Sequence, residues 1–168
     1  MKKIFALLFV STFIFTACEG PQGPPGFDGE DGVNIVGETY EFSNVNFASS
    51  NDYVFEATFN PSLYEGDVML AYRLESVYNG LDVWEPLPTV SYYNNDTGDN
   101  LLYRYNYTIN DINIIVESSN FAAFGAEYLN NQVFRVVIVP SDLVSKVDTN
   151  NINEVMQAAN IKSIQTLN

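Results

Sequence analysis

The sequence predicts a mainly β protein, an antiparallel β-sandwich with one short C-terminal helix, preceded by a signal peptide and a collagen-like tether. Three observations lead there. From residue 33 onward, short runs rich in Tyr, Phe, Val and Ile alternate with turns rich in Asn, Asp and Gly, the rhythm of many short strands. Ahead of them, Gly20, Gly23, Gly26, Gly29 and Gly32 occupy every third position. At the start, a basic pair and an apolar run lead to the sole cysteine, Cys18. The expected organisation is a leader over 1–17, a lipidated cysteine and tether over 18–32, and a β domain over 33–168.

The leader begins with Lys2 and Lys3 and continues through the twelve residues Ile4 to Phe15, broken only by Ser11 and Thr12. About 20 apolar residues are needed to span a bilayer, so this run has the length of a signal-peptide core. Phe15, Thr16, Ala17 and Cys18 resemble the bacterial lipobox, in which small residues precede a cysteine that becomes diacylglycerylated. Phe15 stands where Leu is usual. Acyl chains contribute about 0.8 kcal/mol per buried methylene, so Cys18 is the expected lipid anchor and a membrane the expected partner.

The tether encloses Pro21-Gln22, Pro24-Pro25, Phe27-Asp28 and Glu30-Asp31 between its glycines. Collagen requires Gly at every third place because only hydrogen fits at the axis of three wound chains. Four triplets reach only about 37 Å at 3.1 Å per residue. A monomeric spacer is preferred to a trimer at that length.

In the β domain, Thr39 to Phe47 alternates through Tyr40 and Phe42 and then slips register before Val45 and Phe47, which predicts a bulge. Tyr53, Phe55, Ala57 and Phe59 alternate up to Pro61, and Val68, Leu70, Tyr72 and Leu74 form one face of 67–77. The segment 82–93 contains Pro86-Leu87-Pro88, which places it at an edge or splits it in two. Leu101, Tyr103, Tyr105, Tyr107 and Ile109 share a face; 112–117 and the near-continuous apolar run 133–140 complete the set, the last as a central strand. Asn151 with Glu154 predicts a capping box, and Ile152, Val155, Met156 and Ala159 mark one helical face. That helix is expected to close an open end of the sandwich.

Charge and composition exclude several functions. A net charge of −14 disfavours nucleic acid and anionic lipid headgroups. The absence of His removes Ser/His and Cys/His nucleophilic pairs and the commonest metal ligand. No enzyme activity and no cofactor are expected. Among 21 acids, Asp82 and Glu85 beside Trp84 are the pair to test first for paired-carboxylate glycoside hydrolysis, with solvated surface acids the default reading.

Three further features invite ligands. Trp84, Tyr92 and Tyr93 form a candidate aromatic platform for a protein or glycan, whereas the Tyr103, Tyr105 and Tyr107 stripe reads as core. The loop from Asn94 to Asn100 is rich in oxygen, and Asn94, Asp96 and Asp99 are its calcium candidates. The register fails, since Gly98 falls at the fifth position and no Glu closes the loop, so a hairpin turn is preferred. Arg73, Arg104 and Arg135 lie mid-strand and are expected to pair with acids such as Glu75.

Taken with Cys18 and the Gly20 to Gly32 repeat, the segments Asp82-Val83-Trp84-Glu85-Pro86-Leu87-Pro88, Gln132-Val133-Phe134-Arg135-Val136-Val137-Ile138-Val139-Pro140 and Glu154-Val155-Met156 carry a resemblance. The whole chain resembles a group of small collagen-like lipoproteins of Bacteroidetes. That resemblance implies the anchor, tether and sandwich layout, has no activity attached to it, and carries over no functional residue except the lipidated cysteine. It implies a cell-envelope location, with the outer membrane favoured and its leaflet open. Two functions compete: a surface interaction or adhesion module, and a structural envelope lipoprotein without a ligand. A glycan- or calcium-binding accessory domain is the lesser alternative.

Overall fold

The computed structural model describes residues 37–167. The leader, Cys18 and the glycine repeat lie outside the described residues. Among the described residues, nine strands form two sheets. They are β1 (Glu38–Val45), β2 (Val54–Thr58), β3 (Asp67–Tyr78), β4 (Leu81–Pro86), β5 (Thr89–Tyr93), β6 (Asn100–Tyr107), β7 (Asp111–Ser118), β8 (Gln132–Pro140) and β9 (Gln165–Leu167). One sheet has the order β4-β3-β8-β1-β9 and the other β2-β7-β6-β5. Pairing is antiparallel throughout except for the short parallel β1–β9 ladder.

The alternation of each strand explains the layers. Phe42 of β1, Met69 and Ala71 of β3, and Phe134, Val136 and Ile138 of β8 meet Leu101, Tyr103, Ile112, Ile114 and Val116 of the second sheet in one buried cluster. Phe134 and Tyr103 face one another across it with ring centroids 6.1 Å apart. The five-stranded sheet is covered on its other face too. There Tyr72, Val137 and Val139 pack against Leu143 of the one-turn helix α1 (Ser141–Val144) and against Ile152, Val155 and Ala159, from and just after α2 (Ile152–Ala158). With both faces buried, β8 is apolar along most of its length and central in its sheet, as its composition predicts.

Several local expectations are met. The bulge in β1 appears as a register shift between Phe42 and Val45, with Asn44 at φ 56°. Pro86-Leu87-Pro88 both splits the segment and lies at edges: the chain leaves the first sheet after β4, buries Leu87, and enters the second as β5. Asn151 caps α2, its side-chain oxygen accepting from the Asn153 and Glu154 amides.

Two expectations are corrected. Glu154 does not complete the capping box; its carboxylate accepts from the Asp148 amide at 3.0 Å. The helix does not close an end of the sandwich either. It covers the outer face of the five-stranded sheet, because Leu70, Tyr72, Val137 and Val139 make that face apolar and only a matching stripe removes it from water. The backbone of Gly37 secures this arrangement. Its amide donates to the Ala159 carbonyl at 3.0 Å, and a Cβ there would sit 2.8 Å from the Ala159 side chain. Rings from the β7–β8 connection pack against the inter-sheet core instead: Phe121 stacks on Tyr53 at 3.6 Å, and Tyr128 meets Tyr92 edge-on at 4.2 Å.

Candidate functional site

The three predicted platform residues are not brought together. Trp84, on edge strand β4, packs toward the helical layer. Tyr92, on β5, packs toward the inter-sheet core. Tyr93 is 62% exposed, next to Tyr92 on the strand and therefore on the other face. The prolines that suggested an edge position are the same residues that carry the chain from one sheet to the other, so Trp84 and Tyr92 end in different layers.

Trp84 instead belongs to an ordered row across the outer face. The Arg135 guanidinium lies 4.1 Å from the centre of its ring, and that guanidinium is bound by Glu41 through contacts of 2.6 and 3.1 Å to one carboxylate oxygen. Glu41 and Arg135 are direct partners in the β1–β8 ladder, which places the pair without side-chain searching. Asp82 and Trp84 fall on one face of β4 by alternation and Glu85 on the other, where it accepts from the Thr89 hydroxyl at 2.9 Å. No carboxylate pair is assembled around Trp84 by this arrangement.

Tyr92 belongs to a buried polar cluster that the sequence did not reveal. Arg73, only 4% exposed, donates from Nε to Gln132 Oε1 at 2.9 Å and from a terminal nitrogen to the Tyr92 hydroxyl at 3.2 Å. Its guanidinium also sits 4.5 Å from the centre of the Tyr103 ring. Gln132 is anchored by donating to the carbonyls of Glu127 and Asn130, both at 2.8 Å. The expected ion pairing holds for Arg104 with Glu117 and for Arg135 with Glu41, each at 2.6 Å. It fails for Arg73, which pairs with no acid among the described residues. Its side chain points between the sheets, while Glu75 sits exposed at the β3 register shift.

The tyrosine stripe divides along β6. Tyr103 is fully buried and donates to the Tyr128 carbonyl. Burial pushes its phenol up to about 12, with the Arg73 charge opposing the shift. Tyr105 is partly buried and donates to the Met69 carbonyl at 3.0 Å. Tyr107 is exposed and stacks on Tyr105. These rings chiefly build the core.

The Asn94, Asp96 and Asp99 loop closes as a hydrogen-bonded turn. The Asn94 amide donates to the Asp99 carbonyl at 2.8 Å, and Asn94 Oδ1 accepts from the Asp96 amide at 3.0 Å. The Asp99 carboxylate accepts from Thr97, Ser119 and Asn120, which hold its carboxyl below the usual carboxylate range, Thr97 contributing most. Among the described residues no group of three or more acidic or cysteine side chains gathers at metal-binding spacing.

One further surface feature has its signal in the sequence. Asn79-Gly80 joins β3 to β4 with φ of 52° and 78°, the left-handed pair of a two-residue hairpin. β3 pairs with β8 only as far as Arg73, whereas its pairing with β4 continues to Tyr78 and Leu81. The hairpin therefore extends past the central strand, and its tip exposes Val77, Tyr78 and Leu81 at 59%, 70% and 71%. No protein-family model, curated protein or solved structure matches this chain.

Proposed function

We propose that the chain is a membrane-anchored extracytoplasmic lipoprotein of the collagen-like kind found in Bacteroidetes, and that its β domain is a surface interaction module. The anchoring half rests on the sequence: a basic start, a short apolar run and the single cysteine at its end. The interaction half is carried by one observation, the hairpin tip that presents Val77, Tyr78 and Leu81 to solvent. A purely structural protein has no use for such an apolar projection, and clustered exposed apolar residues mark binding surfaces. The lack of His and the dispersal of Asp82 from Glu85 favour binding over catalysis.

Metabolic labelling with a fatty-acid analogue tests the anchor. The wild-type chain takes up label and Cys18→Ala does not; label persisting in the variant overturns the assignment. Protease shaving of intact cells then tests the interaction module. Cleavage in intact cells supports a surface role, and complete protection until the envelope is opened refutes it.

A further inference from the structure

The β3–β4 hairpin and the chain leading into α2 flank an open groove of about 400 Å³, a volume within the range of about 300–1,000 Å³ typical of small-ligand sites. Tyr78, Leu81 and Trp84 supply its apolar lining, and Asp82, Asn150 and Asn153 its polar lining. We propose that this groove binds an uncharged glycan. The proposal rests on the interaction-module reading and narrows its ligand to one chemical class.

The rings come first. Tyr78 lines the groove and is 70% exposed, so its side chain is accessible to a sugar. Trp84 is held by Arg135, itself held by Glu41, so little side-chain freedom is lost when a ligand arrives. The polar groups come second. Asn151 is occupied in capping α2, and Asn150 donates to Asp148. The Asp82 carboxylate and the Asn153 side-chain amide have no hydrogen-bond or ionic partner among the described residues. A free carboxylate accepts from hydroxyls, and a free amide both donates and accepts. Sugar hydroxyls need that combination.

Charge decides against the other ligand classes. No Lys or Arg lines the groove, and the nearby Arg135 is committed to Glu41. The one ionised lining group is Asp82, in a chain of net charge −14, so an anionic glycan is repelled.

The test titrates the full chain in detergent with hexasaccharides of β-glucose, β-xylose and α-mannose, and with hexagalacturonate as the anionic counterpart. Emission from Trp84, the single tryptophan, reports from within the groove, and calorimetry reports binding anywhere on the protein. At least one neutral hexasaccharide is expected to shift the emission saturably. Tyr78→Ala and Asp82→Asn, both at exposed positions, should each weaken that binding about tenfold, or 1.4 kcal/mol, with Tm unchanged. Hexagalacturonate should bind at least about tenfold more weakly than the neutral ligand. Absence of binding by all three neutral sugars overturns the proposal, as does preference for the anionic one. Calorimetric binding that survives both substitutions also overturns the groove while leaving the interaction module standing. Protection from protease shaving removes the module reading whatever the sugars do.

Discussion

Replacing Gln132 by Leu leaves the Arg73 guanidinium with one hydrogen-bonding partner in place of two, inside a sandwich where the arginine is 4% exposed and forms no ion pair among the described residues. A hydrogen bond to a charged group contributes about 1.5–3 kcal/mol. The Glu127 and Asn130 carbonyls also lose a donor, but both residues are exposed, so water replaces it at a cost of about 1 kcal/mol or less. The single substitution is therefore expected to destabilise by about 1.5–4 kcal/mol. Arg73→Met removes the cation along with its contact to the Tyr103 ring and leaves Gln132 Oε1 unpaired, for about 1–3 kcal/mol. When both are changed, neither an unpaired charge nor an unpaired amide oxygen remains. The double variant should then be less destabilised than the sum of the singles by at least about 1.5 kcal/mol, because an apolar pair replaces a buried polar one. Equilibrium urea unfolding of the four proteins, with m-values compared, measures this directly. Additivity within about 0.5 kcal/mol would refute the view that Arg73 and Gln132 act as one unit.

Two further outcomes follow from the same geometry. Asn151→Ala removes the side-chain oxygen that accepts from Asn153 and Glu154, and should cost about 1 kcal/mol in urea unfolding, whereas Asn150→Ala should cost less because its side chain hydrogen-bonds only to the exposed Asp148 carboxylate among the described residues. Burial raises the Asp67 carboxyl above its ordinary value, and Glu38 adds to the shift. Its folded form thus holds the proton more tightly than the unfolded chain, and the stability this contributes is lost as pH rises through the folded value. Asp67→Asn should therefore raise Tm at neutral pH, with the gain shrinking as the pH falls through the carboxylate range. A gain that is instead largest in acid would contradict that shift.

Much of the architecture is legible in the residues because the rules involved are local. Period-two alternation puts Phe42, Tyr103 and Ile114 on buried faces, the slip before Val45 marks the bulge, and Asn151 announces the start of α2. The apolar run of β8 declares its central place for the same reason, since only a strand covered on both faces can carry it. The Asn79-Gly80 pair was equally open to reading as a hairpin, and with it the exposed tip beside the proposed groove. Alternation tells which side chains share a face of a strand, but not which layer that strand joins. Only the tertiary structure could separate Trp84 from Tyr92, because the crossing at Pro86-Leu87-Pro88 sends adjacent strands into different sheets. It alone turned Arg73 inward against Tyr103 while Arg135 found Glu41, and it alone set α2 on the face of a sheet. Those outcomes depend on what approaches from strands and helices distant in sequence, and that information is absent from any single segment.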